Sequence, residues 1–386
     1  MKVMTSMYTI KKGGSYDRFI MLVEAFLERE WEVHCLSLTP IPIKHSLFHN
    51  KKMYFPFRKG DGLIAKIMVL CCFPFWAVWV GWRHRIDLIV AFGSLYAFIQ
   101  SLAKWWLKKP MVTLIRGRSS FGLETQNSSK LVLYLYNIIE NVGLHFSDRI
   151  ITNNMSMKDE IFKKFRKKKK VDVQVLFNDI PLINKGERID ILNIRKKYNI
   201  PDDAKVLVTA GIIHRGKNIE VLIKCLTQIE MNNIYILVVG DSSTESGSHY
   251  KKILKELVNK LQIQQQVIFT GWIDKKELWS IFQASDLFVL PSINEGMPNA
   301  LLEALGVGLP CIGSKIPGIV DILQYDELLF DPKDEGALAH KIQYILNHYE
   351  NFQKIKLLCE EREKEFIFDW KERVFQILTV GIEPRI

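Results

Sequence analysis

Leu287-Phe288-Val289-Leu290-Pro291-Ser292-Ile293-Asn294-Glu295-Gly296-Met297-Pro298-Asn299-Ala300-Leu301-Leu302-Glu303 is the stretch on which the reading of this chain turns. Four successive apolar residues with no polar alternation predict a strand buried on both faces, as in a parallel sheet. Pro298 and Asn299 then open a helix. Glu295 therefore stands on a loop at the C-terminal end of a parallel strand, where open α/β sheets hold their ligands. Glu303, eight positions further on, lies about one turn inside the helix and faces the same crevice. A carboxylate accepts two hydrogen bonds from a vicinal diol, so both residues suit a hydroxyl-rich ligand.

Apolar runs alternate with helical patterns on either side of this stretch. The reading places strands at Val3–Thr5, Val33–Leu38, Leu88–Phe92, Val112–Ile115, Arg149–Thr152 and Val173–Leu176, then at Val206–Ala210, Ile234–Val239, Val267–Phe269, Leu287–Leu290 and Cys311–Gly313. The pattern predicts an α/β chain of two doubly wound, Rossmann-like domains facing each other across a cleft. With 386 residues and 48% hydrophobic content, the chain is long enough for two cores. Residues 1–180 form the first expected domain, 181–204 the connection, 205–365 the second domain and 366–386 a terminal segment. Pro181, Pro201 and the polar, helix-like Arg188–Lys197 mark the connection.

The formal net charge of +11 is unevenly spread: residues 1–180 carry 28 Lys and Arg against 14 Asp and Glu, whereas residues 181–386 are slightly acidic. A one-sided positive surface attracts nucleic acid or the anionic cytoplasmic leaflet. The densest run, Lys163 to Lys170, reads equally as a solvated helix end and as a phosphate-facing patch, and no nucleic-acid module accompanies it, so no nucleic-acid partner is expected. Six scattered cysteines suggest neither a disulfide framework nor a zinc site. Met1 to Gly14 lacks an apolar core or cleavage site, so the expectation is a cytoplasmic protein. Ile67–Trp82 is uncharged and contains Trp76, Trp79 and Trp82, but it falls short of the roughly 20 residues of a spanning helix and reads as core or interfacial. Lys104-Trp105-Trp106-Leu107-Lys108-Lys109 has the composition of a headgroup-facing segment, and equally that of a helix C-terminus.

Two loops carry anion-binding chemistry. Gly13 and Gly14 follow the first strand and precede a helical pattern over Ser15–Arg29, so their amides can approach a phosphate, although such a pair is also an ordinary turn. Gly211-Ile212-Ile213-His214-Arg215-Gly216-Lys217-Asn218, after the strand Val206–Ala210, brings two cations to a strand–helix loop and suits a diphosphate.

Taken together, the run from Val206 to Leu323 resembles the donor domain of the large retaining glycosyltransferase family of GT-B fold, group one (family four). This family includes enzymes that build lipid-linked oligosaccharides and capsular or O-antigen polysaccharides. The resemblance rests on Glu295 and Glu303 with seven residues between them, on Val238-Val239-Gly240, Phe269-Thr270-Gly271-Trp272, Ala284-Ser285-Asp286, Gly308-Leu309-Pro310 and Pro317-Gly318-Ile319-Val320-Asp321. It implies that Lys217 and Glu295 carry the transfer, Lys217 on the donor diphosphate and Glu295 on a sugar hydroxyl. Gly240, Gly296, Met297 and Asn299 would line the donor site, Glu303 would hold the ribose, and Trp272 and Ile273 would flank the base. Gly13 and Gly14 would close the phosphate site from the first, acceptor-binding domain. The terminal helix, Phe366–Leu378, would cross back to that domain.

The sequence departs from the family at three places. Ile212 stands where an arginine is usual, and Arg215 is the candidate replacement. Arg116-Gly117-Arg118 occupies the place of a histidine after Val112–Ile115, which makes Arg116 and Arg118 the acceptor-side candidates. Asp321 replaces a glutamate. The implied donor is a nucleotide diphosphate sugar, UDP-linked by resemblance of the Glu295–Asn299 loop, carrying a hexose or N-acetylhexosamine. The implied acceptor is lipid-linked or a polysaccharide, with the protein peripheral on the inner face of the cell membrane. No cofactor or metal is expected, because no Asp-x-Asp pair occurs. A non-catalytic scaffold of the same fold and a sugar-nucleotide epimerase are the competing readings.

Overall fold

The computed structural model describes residues 1–8, 14–53, 63–117, 130–165, 171–181, 191–231 and 233–380. The chain divides into two compact units, Met1–Phe177 with Asp369–Ile386, and Asn178–Phe368. Each is built on a parallel sheet with helices between the strands.

The strands of the first unit are β1 (Lys2–Ser6), β2 (Glu32–Ser37), β3 (Phe48–Lys52), β4 (Leu88–Phe92), β5 (Met111–Ile115), β6 (Arg149–Thr152) and β7 (Asp172–Val175), in the order β3-β2-β1-β4-β5-β6-β7. Every residue of β4 and β5 is buried, which is why these strands read as unbroken apolar runs. β3 has no counterpart in the sequence reading. Its Phe-His-Asn-Lys-Lys composition suits the sheet edge it occupies, where polar and charged side chains discourage further pairing.

Three helices, α2 (Leu63–His84), α3 (Ser94–Leu107) and α4 (Lys130–Phe146), pack side by side, with Phe73, Ala77, Val80, Ala97 and Ile99 sharing a core with Ile89 and Ala91 of β4. Phe92 points to the opposite face of the sheet and meets Phe19 of α1 (Gly14–Leu27), with ring centroids 5.5 Å apart. The C-terminal helix Trp370–Thr379 packs on α1 within this unit. Lys371 Nζ lies 2.8 Å from Glu24 and 2.5 Å from Glu28, and Trp370 is buried under Arg18.

In α2 the segment around Ile67–Trp82 has two faces. Phe73, Ala77 and Val80 are buried, whereas Phe75, Trp79 and Trp82, at i, i+4 and i+7, are exposed. Among the described residues no helix is long and apolar enough to cross a membrane. All six cysteines are free.

The second unit contains β8 (Lys205–Ala210), β9 (Ile234–Val239), β10 (Val267–Gly271), β11 (Leu287–Leu290), β12 (Cys311–Ser314) and the two-residue β13 (Leu329–Phe330), in the order β10-β9-β8-β11-β12-β13. The chain winds outward from β8 in one direction and from β11 in the other. The strand order therefore reverses between β8 and β11, and their C-terminal ends flank a topological switch point, where doubly wound sheets open a ligand crevice.

Candidate functional site

Both loops singled out by their chemistry emerge at this switch point. After β8 the chain passes Gly211 and reaches a short 3-10 turn, Arg215–Lys217, capped by His214, whose ring nitrogen Nδ1 accepts from the Gly216 amide at 3.1 Å. After β11 comes the loop Pro291–Pro298, followed by the helix Asn299–Gly306. Hydrogen bonds and an ion pair tie the two loops together, and Asn218 also reaches Pro332. The Ile293 amide donates to the Gly216 carbonyl (3.0 Å), the Asn218 carboxamide donates to the carbonyls of Pro291 (3.1 Å) and Pro332 (2.8 Å), and Lys217 Nζ lies 2.6 Å from Glu295 Oε1. Glu295 Oε1 also accepts from the Ser292 hydroxyl at 2.8 Å, and Ser292 is fully buried.

Lys217 and Glu295 are largely withdrawn from water, with side-chain exposures of 16% and 13%. An ion pair so placed is screened weakly, and its geometry is fixed by the shared loops. Burial, with the Lys217 charge next in weight, lowers the pKa of neighbouring His214, so its Nδ1 serves as an acceptor in a neutral ring.

Glycines clear the space around the pair. Gly211 has φ +144°, and a Cβ there would come within 3.1 Å of Lys217 Cε, so the lysine lies along backbone that a side chain would obstruct. Gly240, at the end of β9, has φ +116°, and its Cβ would sit 2.2 Å from the Gly211 carbonyl oxygen. Its amide donates to Gly271 at the end of β10 (3.1 Å). Three adjacent strands thus end in closely packed bare backbone, which only glycine permits at such φ values and distances. Gly318 does the same from the far side, since a Cβ there would be 2.2 Å from the Gly296 carbonyl oxygen and 2.6 Å from that of Glu295.

The other candidates fall at different points. Glu303 is buried in the first turns of its helix. Met297 is buried, and the Asn299 carboxamide oxygen accepts from Asn178 Nδ2 at 2.7 Å. The Arg215 guanidinium lies 5.8 Å from the centroid of the Tyr250 ring, on the helix Glu245–Lys260, and near Glu220. Trp272, directly after Gly271, is exposed, and Ile273 is half-buried. In the first unit, Gly14 opens α1, and the Arg116 carbonyl accepts from Asn153 Nδ2 at 3.2 Å. Gly13, Arg118 and the lysine run beyond Phe165 lie outside the described residues.

Ser292, Asn218 and Gly318 stand within stretches that the sequence reading quoted but gave no role, and Asn178 was not singled out at all. Ser292 precedes Glu295 by three residues, a spacing with no signal of its own. Asn218 directly follows Lys217, but its contacts with Pro291 and Pro332, like those of Asn178 and Gly318, come only through the order of the strands and helices.

Residues 190–357 match the family model described as glycosyl transferases group 1. The second unit is a group 1 glycosyltransferase domain. The match covers the strands, glycines and ion pair of the second unit. This glycosyltransferase is 27% identical to the N-acetyl-α-D-glucosaminyl L-malate synthase of Bacillus anthracis over 377 residues, covering 92% of this chain and 90% of that protein. It is 30% identical to the O-antigen biosynthesis glycosyltransferase WclY of Escherichia coli over 171 residues, covering 44% of this chain and 46% of the other. Among solved structures it resembles Anabaena HepE in complex with UDP, with a TM-score of 0.76 and 17% identity over 98% of this chain and 100% of that one. The fold is GT-B, with two Rossmann-like domains.

Proposed function

We propose that this glycosyltransferase moves a hexose or N-acetylhexosamine from a UDP-linked donor to a lipid-linked or polysaccharide acceptor, with retention of anomeric configuration and without a metal ion. The observation that carries the reading is the Lys217–Glu295 pair at the β8/β11 switch point. Its cation suits the donor diphosphate and its carboxylate a hydroxyl of the donor sugar. The glycine-ended strands leave room for the diphosphate to approach backbone, and buried Glu303 suits the ribose hydroxyls. Gly240, Gly296, Met297, Asn299, Trp272 and Ile273 complete the proposed donor site, with Gly13, Gly14 and Arg215 on the phosphates and Arg116 and Arg118 on the acceptor. The B. anthracis relative is named for an N-acetylglucosaminyl product and HepE was solved with UDP, which supports the choice of donor.

In the proposed reaction the bond between the anomeric carbon and the β-phosphate oxygen breaks as the acceptor oxygen forms its bond on the same face. The acceptor proton passes to a phosphate oxygen, and the nucleoside diphosphate leaves. Lys217 stabilises the charge that grows on this leaving group, a contribution of about 2.7–4 kcal/mol for a single preorganised donor.

The membrane part of the proposal rests on the first unit. Phe75, Trp79 and Trp82 of α2, Trp105 and Trp106 of α3, and Leu131, Tyr134, Leu135 and Ile138 of α4 are exposed on three neighbouring helices. Such large exposed apolar groups beside the basic residues of this unit suit an anionic headgroup region. They support the reading of an enzyme peripheral on the cytoplasmic face. Incubation with UDP- and GDP-sugars in the presence of membranes tests the proposal. It expects transfer from a UDP-sugar and an α-linked product from an α-linked donor by proton NMR; a β-linked product overturns retention, and binding without transfer favours the scaffold reading.

A further inference from the structure

At the outer edge of the first sheet three imidazoles and a carboxylate gather. Glu32 and His34 are two apart on β2 and project to the same face. His49 of β3 is registered directly opposite His34. His84, the last residue of α2, brings its ring to 4.3 Å from that of His34, while the His49 ring lies 4.9 Å away on the edge strand. The two strands and the helix end thus converge on one point.

The donor atoms are spaced for coordination. His34 Nε2 is 2.9 Å and His49 Nε2 3.1 Å from the same oxygen, Glu32 Oε1, and ligand atoms from all three residues lie within 4.8 Å of one another. Tetrahedral Zn2+ with bonds of about 2.0–2.1 Å sets its ligand atoms roughly 3.3 Å apart, close to these separations. The other oxygen of Glu32, Oε2, is held by Lys2 Nζ at 2.9 Å, which orients Oε1 toward the histidines.

A plain hydrogen-bonded carboxylate accounts for part of this arrangement. It does not account for the convergence of a second and a third imidazole, His49 and His84, on a His34 side chain that is only 1% exposed. Glu32 and His49 are partly exposed, at 24% and 36%, which leaves a path for an ion to enter.

We infer that Glu32, His34 and His49 form a binding site for a divalent transition-metal ion, Zn2+ in particular, with His84 as the nearest further ligand. The two-histidine, one-carboxylate donor set is borderline-soft and suits Zn2+ over Mg2+ or Ca2+. The bound ion would clip the edge strand β3 to β2. The site belongs to the first unit and is independent of the donor chemistry proposed for the second.

The test uses the full chain, stripped with a chelator and dialysed, then titrated with Zn2+ alone by calorimetry and with Co2+ alone by visible absorption. One equivalent of Zn2+ should bind with micromolar or tighter affinity, Co2+ should give the intense absorption of a tetrahedral site, and the melting temperature should rise. His49→Gln and Glu32→Gln should weaken binding by about ten-fold or more. His49 is partly exposed, so its variant is the one that keeps the fold; His340→Gln, in the second unit, should bind as the parent does. No stoichiometric binding, or equal affinity in His49→Gln, overturns the site.

Discussion

Lys217 Nζ and Glu295 Oε1 are separated by 2.6 Å in space and by 78 positions in the chain. They meet because β8 and β11 are neighbours in the sheet, and the fully buried hydroxyl of Ser292 fixes the glutamate from below. Ser292 is therefore a positioning residue. Ser292→Ala should lower stability by about 1.5–3 kcal/mol, the usual worth of a hydrogen bond to a charged group. It should also raise KM for the donor more than it lowers kcat, because the carboxylate is still present but less well placed. Denaturant melts and steady-state kinetics with the UDP-sugar check both, and an unchanged KM would remove Ser292 from this role.

The glycine floor predicts a stability effect of its own. In Gly240→Ala the new methyl group meets the Gly211 carbonyl at 2.2 Å and the residue keeps φ +116°. Overpacking and backbone strain together should cost about 2–4 kcal/mol. Gly308→Ala is a useful comparison, since φ is +80° there but nothing lies within 4 Å of the added atom, so it should cost less. Equal losses in the two variants would show that strain alone matters at Gly240.

A pH effect follows from Asp241, which begins the loop after β9. The hydrogen bond from Lys251, with Nζ 2.8 Å from Oδ1, holds its carboxyl below the ordinary aspartate value. Because the folded-state value is depressed, the pair stabilises the fold fully above the unfolded value of about 3.9 and ceases to do so as pH falls through the lower folded value. The pair is near the surface, so the effect should not exceed about 1 kcal/mol. Asp241→Asn should be less stable than the parent at pH 7, with the gap closing below pH ~4 in urea melts; a gap that is constant with pH would contradict this account.

For the membrane surface, Trp79 and Trp82 project outward from α2 while Phe73, Ala77 and Val80 hold it to the core. The double variant Trp79→Ser with Trp82→Ser should therefore melt as the parent does yet lose most of its cosedimentation with anionic vesicles. Binding of the parent should weaken with added salt, as screening of basic residues requires. Equal binding to neutral and anionic vesicles would count against the proposed surface.

Much of the fold was legible because parallel strands buried on both faces, such as Leu88–Phe92 and Leu287–Leu290, leave apolar runs that no surface helix would show. β3 and β13 were not, one being polar at an edge and the other only two residues long. In the second unit, Lys217, Glu295 and Glu303 could be singled out from loop chemistry and the spacing of the glutamates. Their partners could not. Ser292 reaches Glu295 within one loop but at a spacing with no signal of its own; Gly318 and Asn178 acquire meaning only through neighbours brought close by the fold, and Arg215 lies against Tyr250, 35 positions away in the chain. The exposed stripe Leu131, Tyr134, Leu135 and Ile138 has the spacing of a helix that buries one face; nothing in the sequence distinguishes a stripe turned outward from one turned to the core.

The central claim is that Lys217 carries the charge of the departing nucleotide. It is tested most directly by turnover of Lys217→Ala and Lys217→Gln with the UDP-sugar and acceptor membranes, compared with the parent and with unfolding followed on the same samples. The account predicts a loss of two or more orders of magnitude in kcat in both variants, with the protein still folded and the pair's partner, Glu295, unaltered. Turnover near that of the parent in either folded variant would contradict it and move the phosphate site elsewhere.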